Sequence, residues 1–198
     1  LTQAAGSVFR VNGNITAPNF TVGNNNTFAG NTTLTGNLNV ASGGRVAPGN
    51  SIGTQNVVGD VNFANGSIFD VELSGTTADL LNVTGNITIN NGATLNLIEL
   101  TPFTGLSANI LTATGAITGT FGTVNRNGAN LSVLYSPTSL SVGIIALNTS
   151  AVNALANASI ASTILLGDTI LEQSSDHAFM AGKNLWITGE SPFNDSDP

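Results

Sequence analysis

A short unit recurs through the first half of the chain, and it limits the possible folds more than any other feature. It reads Val11-Asn12-Gly13-Asn14-Ile15-Thr16, then Leu34-Thr35-Gly36-Asn37-Leu38-Asn39. It returns as Val57-Val58-Gly59-Asp60-Val61-Asn62 and Val83-Thr84-Gly85-Asn86-Ile87-Thr88. Its glycines lie 23, 23 and 26 residues apart, and a further glycine follows three of them by seven residues, at Gly43, Gly66 and Gly92. A second unit runs alongside: Gly6-Ser7-Val8-Phe9-Arg10-Val11, Gly66-Ser67-Ile68-Phe69-Asp70-Val71 and Gly92-Ala93-Thr94-Leu95-Asn96-Leu97. A period of this length, built from β-branched runs and turn residues without helical spacing, predicts stacked coils. Each coil needs its neighbours to bury its inward face.

The stretch from Gly43 to Leu73 is the clearest instance. It turns through Ala47-Pro48-Gly49-Asn50, and the runs Val57-Val58, Val61-Asn62-Phe63 and Ile68–Leu73 then alternate with Gly and Asn. Period-two alternation puts Phe69, Val71 and Leu73 on one face and Ile68, Asp70 and Glu72 on the other. The expected class is all-β: a right-handed parallel β-helix, with a β-sandwich as the alternative. Gly43, Gly44, Gly59 and Gly66 are expected to form the coil corners, and Phe69, Val71, Leu73, Leu95, Leu97, Phe121 and Tyr135 to pack and nucleate the stack.

The coils are read over residues 1–92. Between 93 and 147 the spacing dissolves into longer runs: Ala93–Leu100, Ala108–Thr112, Gly119–Val124, Leu131–Tyr135 and Leu140–Leu147. An open apolar end needs closing, so an antiparallel cap is predicted there. Within 148–182, Val152, Leu155, Ile160, Ile164 and Leu171 fall near helical spacing behind the N-cap candidates Asn148-Thr149-Ser150, which predicts a linker helix. Asn184–Thr188 reads as a strand opening a further element within 183–198, and Ser191–Pro198 as a disordered acidic tail. Leu1 begins in mid-pattern, so the chain reads as a segment of something longer.

Charge narrows the partners. Only 8% of residues are charged, and the net charge of -7 is opposed by just Arg10, Arg45, Arg126 and Lys183. No basic patch is available to displace counterions from nucleic acid or to dock on an anionic leaflet. With no cysteine there is no disulfide framework and no thiolate zinc site. No apolar run reaches the roughly 18 residues of a spanning helix.

Several motifs invite a chemical reading, and each meets a structural one. Gly49-Asn50-Ser51-Ile52-Gly53 has the G-x-S-x-G pattern, with acids and His177 later in the chain. That elbow requires a strand before and a helix after; Pro48 and strand-like residues flank it instead, so Ser51 is expected in a turn. His177 has no evident orienting partner for general-base work. Asp70 and Glu72 are read as an outward solubilising pair, because a glycosidase pair needs a cleft that this sequence does not signal. Asp195-Ser196-Asp197 lacks the glycine and closing Glu of a calcium loop. Phe20, Phe28 and Phe63 are read as scattered aromatics, too few for an adhesive stripe. No catalytic residue, cofactor or metal is predicted.

Gly44–Gly53 (GRVAPGNSIG), with strands ending at Asp70-Val71-Glu72-Leu73, resembles the C-terminal passenger region of classical autotransporters of type V secretion. Ala78-Asp79-Leu80-Leu81-Asn82-Val83-Thr84-Gly85 resembles that family's Asp-x-Leu-x-Val-x-Gly step, and Thr112–Phe121 its tatGaitGtF stretch. The resemblance runs in order from about Gly30 to Ile187. It implies a passenger stem with an autochaperone role, a linker helix threading the chain's own translocator barrel, and display at a Gram-negative outer membrane after passage through the periplasm. Upstream passenger coils are the other partner it implies; the alternative reading is an adhesin or self-association module whose lateral β-helix face meets a host molecule or a sister chain. Asn153 and Asn157 precede Ala, which departs from the signature of the self-cleaving subgroup.

Overall fold

The computed structural model describes residues 6–127 and 130–144, together with the backbone of two short strands at 177–179 and 186–188. The chain divides into two compact units, Leu1–Ala146 and Leu147–Pro198. In the first, one series of strands builds sheet 1: β1 (Val8–Arg10), β3 (Thr27–Gly30), β5 (Arg45–Pro48), β8 (Ile68–Gly75), β12 (Thr94–Phe103) and β15 (Thr123–Asn125). All five pairings along that path are parallel. The short β9 (Thr77–Ala78) folds back on β8.

Sheet 2 is built from the segments between successive sheet 1 strands. β2 (Gly13–Val22) and β4 (Thr32–Val40) are long. Later repeats split them in two: β6 (Thr54–Val58) and β7 (Val61–Phe63), β10 (Leu80–Thr84) and β11 (Ile87–Ile89), then β13 (Ala108–Ala113) and β14 (Ile117–Gly119). Every one of these pairs in parallel with its counterpart one repeat on. The described residues are all-β, in curled mixed sheets whose pairings between repeats are parallel as far as β15.

The columns these residues make explain why they form this arrangement. On sheet 1, Phe9, Phe28, Val46, Phe69, Leu95 and Val124 stand in register across six strands. On sheet 2, Phe20, Leu38, Val61, Ile87 and Ile117 do the same, as do Ile15, Leu34, Val57, Val83 and Ala113. These columns meet in one core, in which Phe28, Leu34, Phe63, Phe69, Leu81 and Leu95 are fully buried. Each repeat gives only a strand or two to each sheet, so its inward side chains are covered by the repeats stacked on either side.

The last repeat breaks the pattern. β17 (Ser139–Ile144) pairs antiparallel with β13, and β16 (Leu131–Tyr135) antiparallel with β17. Within the region expected to form the cap, parallel pairing therefore continues to Asn125, and the antiparallel hairpin occupies 131–144. Gly119–Val124, read as one strand, is instead a strand end, a turn and a strand start. Gly119 adopts φ +82, a left-handed conformation, and a Cβ there would sit 1.9 Å from the Ile89 carbonyl oxygen. The turn swings Phe121 into the core, where it is 5% exposed.

In the second unit, β18 (His177–Phe179) pairs antiparallel with β19 (Trp186–Thr188). The strand expected at 184–188 is thus met by β19. The linker helix read within 148–182 lies outside the described residues, apart from 177–179, which are strand. The acidic tail also lies outside them.

Candidate functional site

Two constructions stand out: the corners that join repeats, and the clasp that closes the stack. At one corner Gly43 N–H donates to the Gly66 carbonyl and Gly66 N–H to the Gly92 carbonyl, both at 2.8 Å. These are the three glycines at seven-residue offsets, and the left-handed φ of Gly43 (+71) and Gly66 (+77) is what their lack of a side chain allows. Gly44, beside them, is buried, and a Cβ on it would approach the Val22 carbonyl oxygen to 2.3 Å.

At the opposite corner Gly36, Gly59 and Gly85 stack so closely that a Cβ on Gly59 would meet the Gly36 carbonyl oxygen at 2.4 Å, and one on Gly85 the Gly59 carbonyl oxygen at 2.4 Å. The next residue in each case is Asn37, Asp60 or Asn86, and its side chain reaches one repeat along. Asn37 Oδ1 accepts the Asp60 N–H at 3.0 Å, Asp60 Oδ1 the Asn86 N–H at 2.7 Å, and Asn86 Oδ1 the Ala116 N–H at 3.0 Å. Each side chain satisfies a backbone donor exposed by the break between strands, which explains why Asn or Asp comes after the glycine.

Gly13 does not belong to this corner. Its spacing from Gly36 equals that of Gly36 from Gly59, yet Gly13 pairs with Thr32, while Thr16 pairs with Thr35 and Asn19 with Asn37. The corner in the first repeat is Ala17-Pro18, accommodated by a bulge between Thr16 and Asn19. Repeat length is the reason. Successive members of the column Ile15, Leu34, Val57, Val83 and Ala113 are 19, 23, 26 and 30 residues apart, so the repeats lengthen toward the cap.

The clasp uses the residues expected to nucleate the stack. Leu95 lies beside Phe69 and Leu97 beside Val71, all buried with Leu73. Phe69 packs on Phe63 and Phe121 with ring centroids 5.5 and 6.1 Å away, and Phe63 meets Phe121 edge-on at 5.4 Å. Tyr135, on the antiparallel hairpin, accepts the Phe121 N–H through its hydroxyl oxygen at 3.0 Å. Burial raises the Tyr135 hydroxyl pKa, against that hydrogen bond, so the phenol stays neutral at physiological pH. Tyr135 itself is 39% exposed, a strap across the core.

Phe20, Phe28 and Phe63 are core residues, not scattered surface aromatics. Phe20 and Phe28 pack with Phe9 into a first cluster, with centroids 4.8 to 6.1 Å apart. The linear spacing hides this because register brings them together across repeats of unequal length.

Asp70 and Glu72 are not an outward solubilising pair. Asp70 is only 7% exposed; it is ion-paired with Arg45, and its Oδ1 accepts a hydrogen bond from Asn96 Nδ2 at 2.7 Å. Asn125 Nδ2 continues the line by donating to Asn96 Oδ1 at 2.8 Å. The arrangement is a polar ladder up sheet 1, and the Arg45 side chain covers the carboxylate that would otherwise face water.

The aspartate that opens the Asp79-Leu80-Leu81-Asn82-Val83-Thr84-Gly85 stretch is more deeply enclosed. Asp79 is 1% exposed and accepts the N–H groups of Gly53 and Glu72, each at 2.8 Å. It ties the loop before β6 to the strand pair β8–β9. Burial pushes its pKa up to about 7; the two N–H donors pull the other way, and the nearby Glu72 adds to the rise. Gln55 is fully buried on sheet 2, and neither its Oε1 nor its Nε2 has a hydrogen-bond partner among the described residues.

Ser51 lies in the loop between β5 and β6, with a strand rather than a helix after it, so the nucleophile-elbow geometry is not formed. His177 lies in β18 of the second unit. Among the described residues no group of three or more His, Asp or Glu side chains is placed to hold a metal ion, and no helix is long and apolar enough to cross a membrane. No protein-family model matches the chain, and no characterised protein matches it in sequence.

Proposed function

We propose that this chain is a right-handed parallel β-helical stem whose C-terminal repeats promote folding and outer-membrane export of an autotransporter passenger. Its role is structural, not catalytic. The observation that carries this reading is a continuous apolar column, Phe9 to Val124, closed at one end by a hairpin that Tyr135 ties to Phe121. Nearest-neighbour stacking gives such a column a direction of growth. Once the clasped end is folded, each new repeat finds a template of paired backbone and apolar side chains, so folding propagates away from the cap. On a cell surface that propagation opposes backsliding of the exported chain.

In this reading the chain's own translocator barrel and the upstream passenger coils are its partners, and the stem presents a distal domain beyond the outer membrane. The test joins the chain to a translocator barrel and an upstream passenger, deletes residues 43–147, and measures protease resistance of the passenger on intact cells. Loss of folded passenger at the surface is expected. Arrival of a folded passenger without the segment overturns the proposal.

A second reading, a self-associating or host-binding surface, draws on uncharged columns along sheet 2. Asn14, Thr33, Asn56, Asn82 and Thr112 stand in register, with Thr16, Thr35, Val58 and Thr84 beside them. It predicts that removing those side chains abolishes adhesion or aggregation while surface display persists.

A further inference from the structure

Next to the glycine corner, where β4, β7 and β11 run side by side, a cleft of about 340 Å³ opens on the outer surface of sheet 2. It lies between two columns: Asn19, Asn37, Asp60 and Asn86 along the corner, and Asn39, Asn62 and Thr88 along the strands. We infer that this cleft binds a neutral, hydroxyl-rich linear oligosaccharide, a role that does not depend on export.

Hydrogen-bonding capacity points to this class of ligand. The corner column is held rigid by its own ladder of Asn and Asp side chains, with Asn86 Nδ2 also donating to Asp60 Oδ1 at 3.4 Å and Asn37 Nδ2 to Asn19 Oδ1 at 3.5 Å. Neither Asn39 nor Thr88 makes a side-chain hydrogen bond to another described residue, and Asn62 uses only its Oδ1, accepting from Asn90 Nδ2 at 3.3 Å. Asn39 therefore offers an amide carbonyl and an amide NH2, Asn62 an amide NH2, and Thr88 a hydroxyl, in register on adjacent strands. Parallel strands repeat these groups about every 4.8 Å.

A sugar carries hydroxyls that donate and accept at once, the complement of such amide rows. The size lies at the lower end of ligand clefts, while the lining is polar where small-molecule pockets are mostly apolar. Charge selects further. Asp60 is the one ionisable group in the lining, and no cation accompanies it, so an anionic glycan is disfavoured. The strand direction also favours a chain over a single ring, because a linear polymer laid across β4, β7 and β11 meets the same pair of columns on each.

The test uses the 198-residue chain and three neutral hexasaccharides, cellohexaose, maltohexaose and mannohexaose, with oligogalacturonate as the charged control. Titration followed by amide-resolved NMR is expected to shift the side-chain amides of Asn39 and Asn62 and the backbone amide of Thr88 with at least one neutral sugar. The double variant Asn39→Ala/Thr88→Val is expected to weaken that binding about tenfold or more. Its melting temperature should not change, since neither side chain is bonded to the fold. No shift with any neutral sugar at millimolar concentration overturns the inference, as does tighter binding of oligogalacturonate. Shifts that track protein concentration without sugar also overturn it, because they assign the cleft to a second copy of the chain.

Discussion

The stacked body and the closing hairpin solve the same problem in opposite ways. In the body, from β1 to β15, every strand but the short β9 pairs with a neighbour running the same direction one repeat away, and gives its inward side chains to a column. In the hairpin, β17 turns its direction against β13 and β16 against β17, so no further parallel repeat is templated there. Repetition supplies stability only between repeats, and an end needs different chemistry. Here it is a phenol–backbone hydrogen bond and a phenylalanine turned inward by Gly119.

The largest effect is expected where the two regions touch. Phe69 belongs to the body, but it packs on Phe121 of the closing region, so Phe69→Ala should destabilise both, by about 3–5 kcal/mol. Urea unfolding monitored by near- and far-UV signals should show one transition moved to lower denaturant. Two separate transitions would mean that body and hairpin are not energetically joined.

The next effect is on pH dependence and lies wholly in the body. Asp79 has a folded pKa of about 7 against an ordinary value of 3.8, so the folded state holds its proton more tightly than the unfolded chain does. The stability this contributes is fully present below about pH 4 and is lost as pH rises toward 7, a difference of a few kcal/mol. Asp79→Asn should flatten that part of the stability curve, measured between about pH 4 and 8. An unchanged slope would show that the two N–H donors keep the carboxylate ionised in spite of its burial.

Gln55 is a smaller lever with the opposite sign. Its buried amide has no partner among the described residues, so Gln55→Leu should raise the stability of the body by about 1–2 kcal/mol, read as a shift in urea midpoint. A loss of stability would reveal hydrogen bonding that the fold gains elsewhere. The smallest change belongs to the hairpin alone. Tyr135→Phe removes the acceptor for the Phe121 N–H and should cost about 1 kcal/mol. Hydrogen exchange should quicken at Phe121 while the amides of β4 and β7 stay protected. Equal acceleration across both would make the clasp a global, not a terminal, device.

Local features of this fold are legible in the residues themselves. Alternation places Phe69, Val71 and Leu73 inward, and the seven-residue offsets mark Gly43, Gly66 and Gly92, because both arise from backbone geometry within a few residues. Leu131–Tyr135 is likewise marked as a strand of different character. Which repeat positions lie side by side is settled by packing alone. Because the repeats grow from 19 to 30 residues, equal spacing at Gly13 misleads, and the meeting of Phe63, Phe69 and Phe121 across three repeats is invisible in the linear chain. The same holds for the carboxylates. Whether Asp70 faces water depends on Arg45 reaching it from another strand, and whether Asp79 is enclosed depends on the loop before β6. Local propensity is written in adjacent residues, whereas register between repeats is set by how each loop absorbs its extra length.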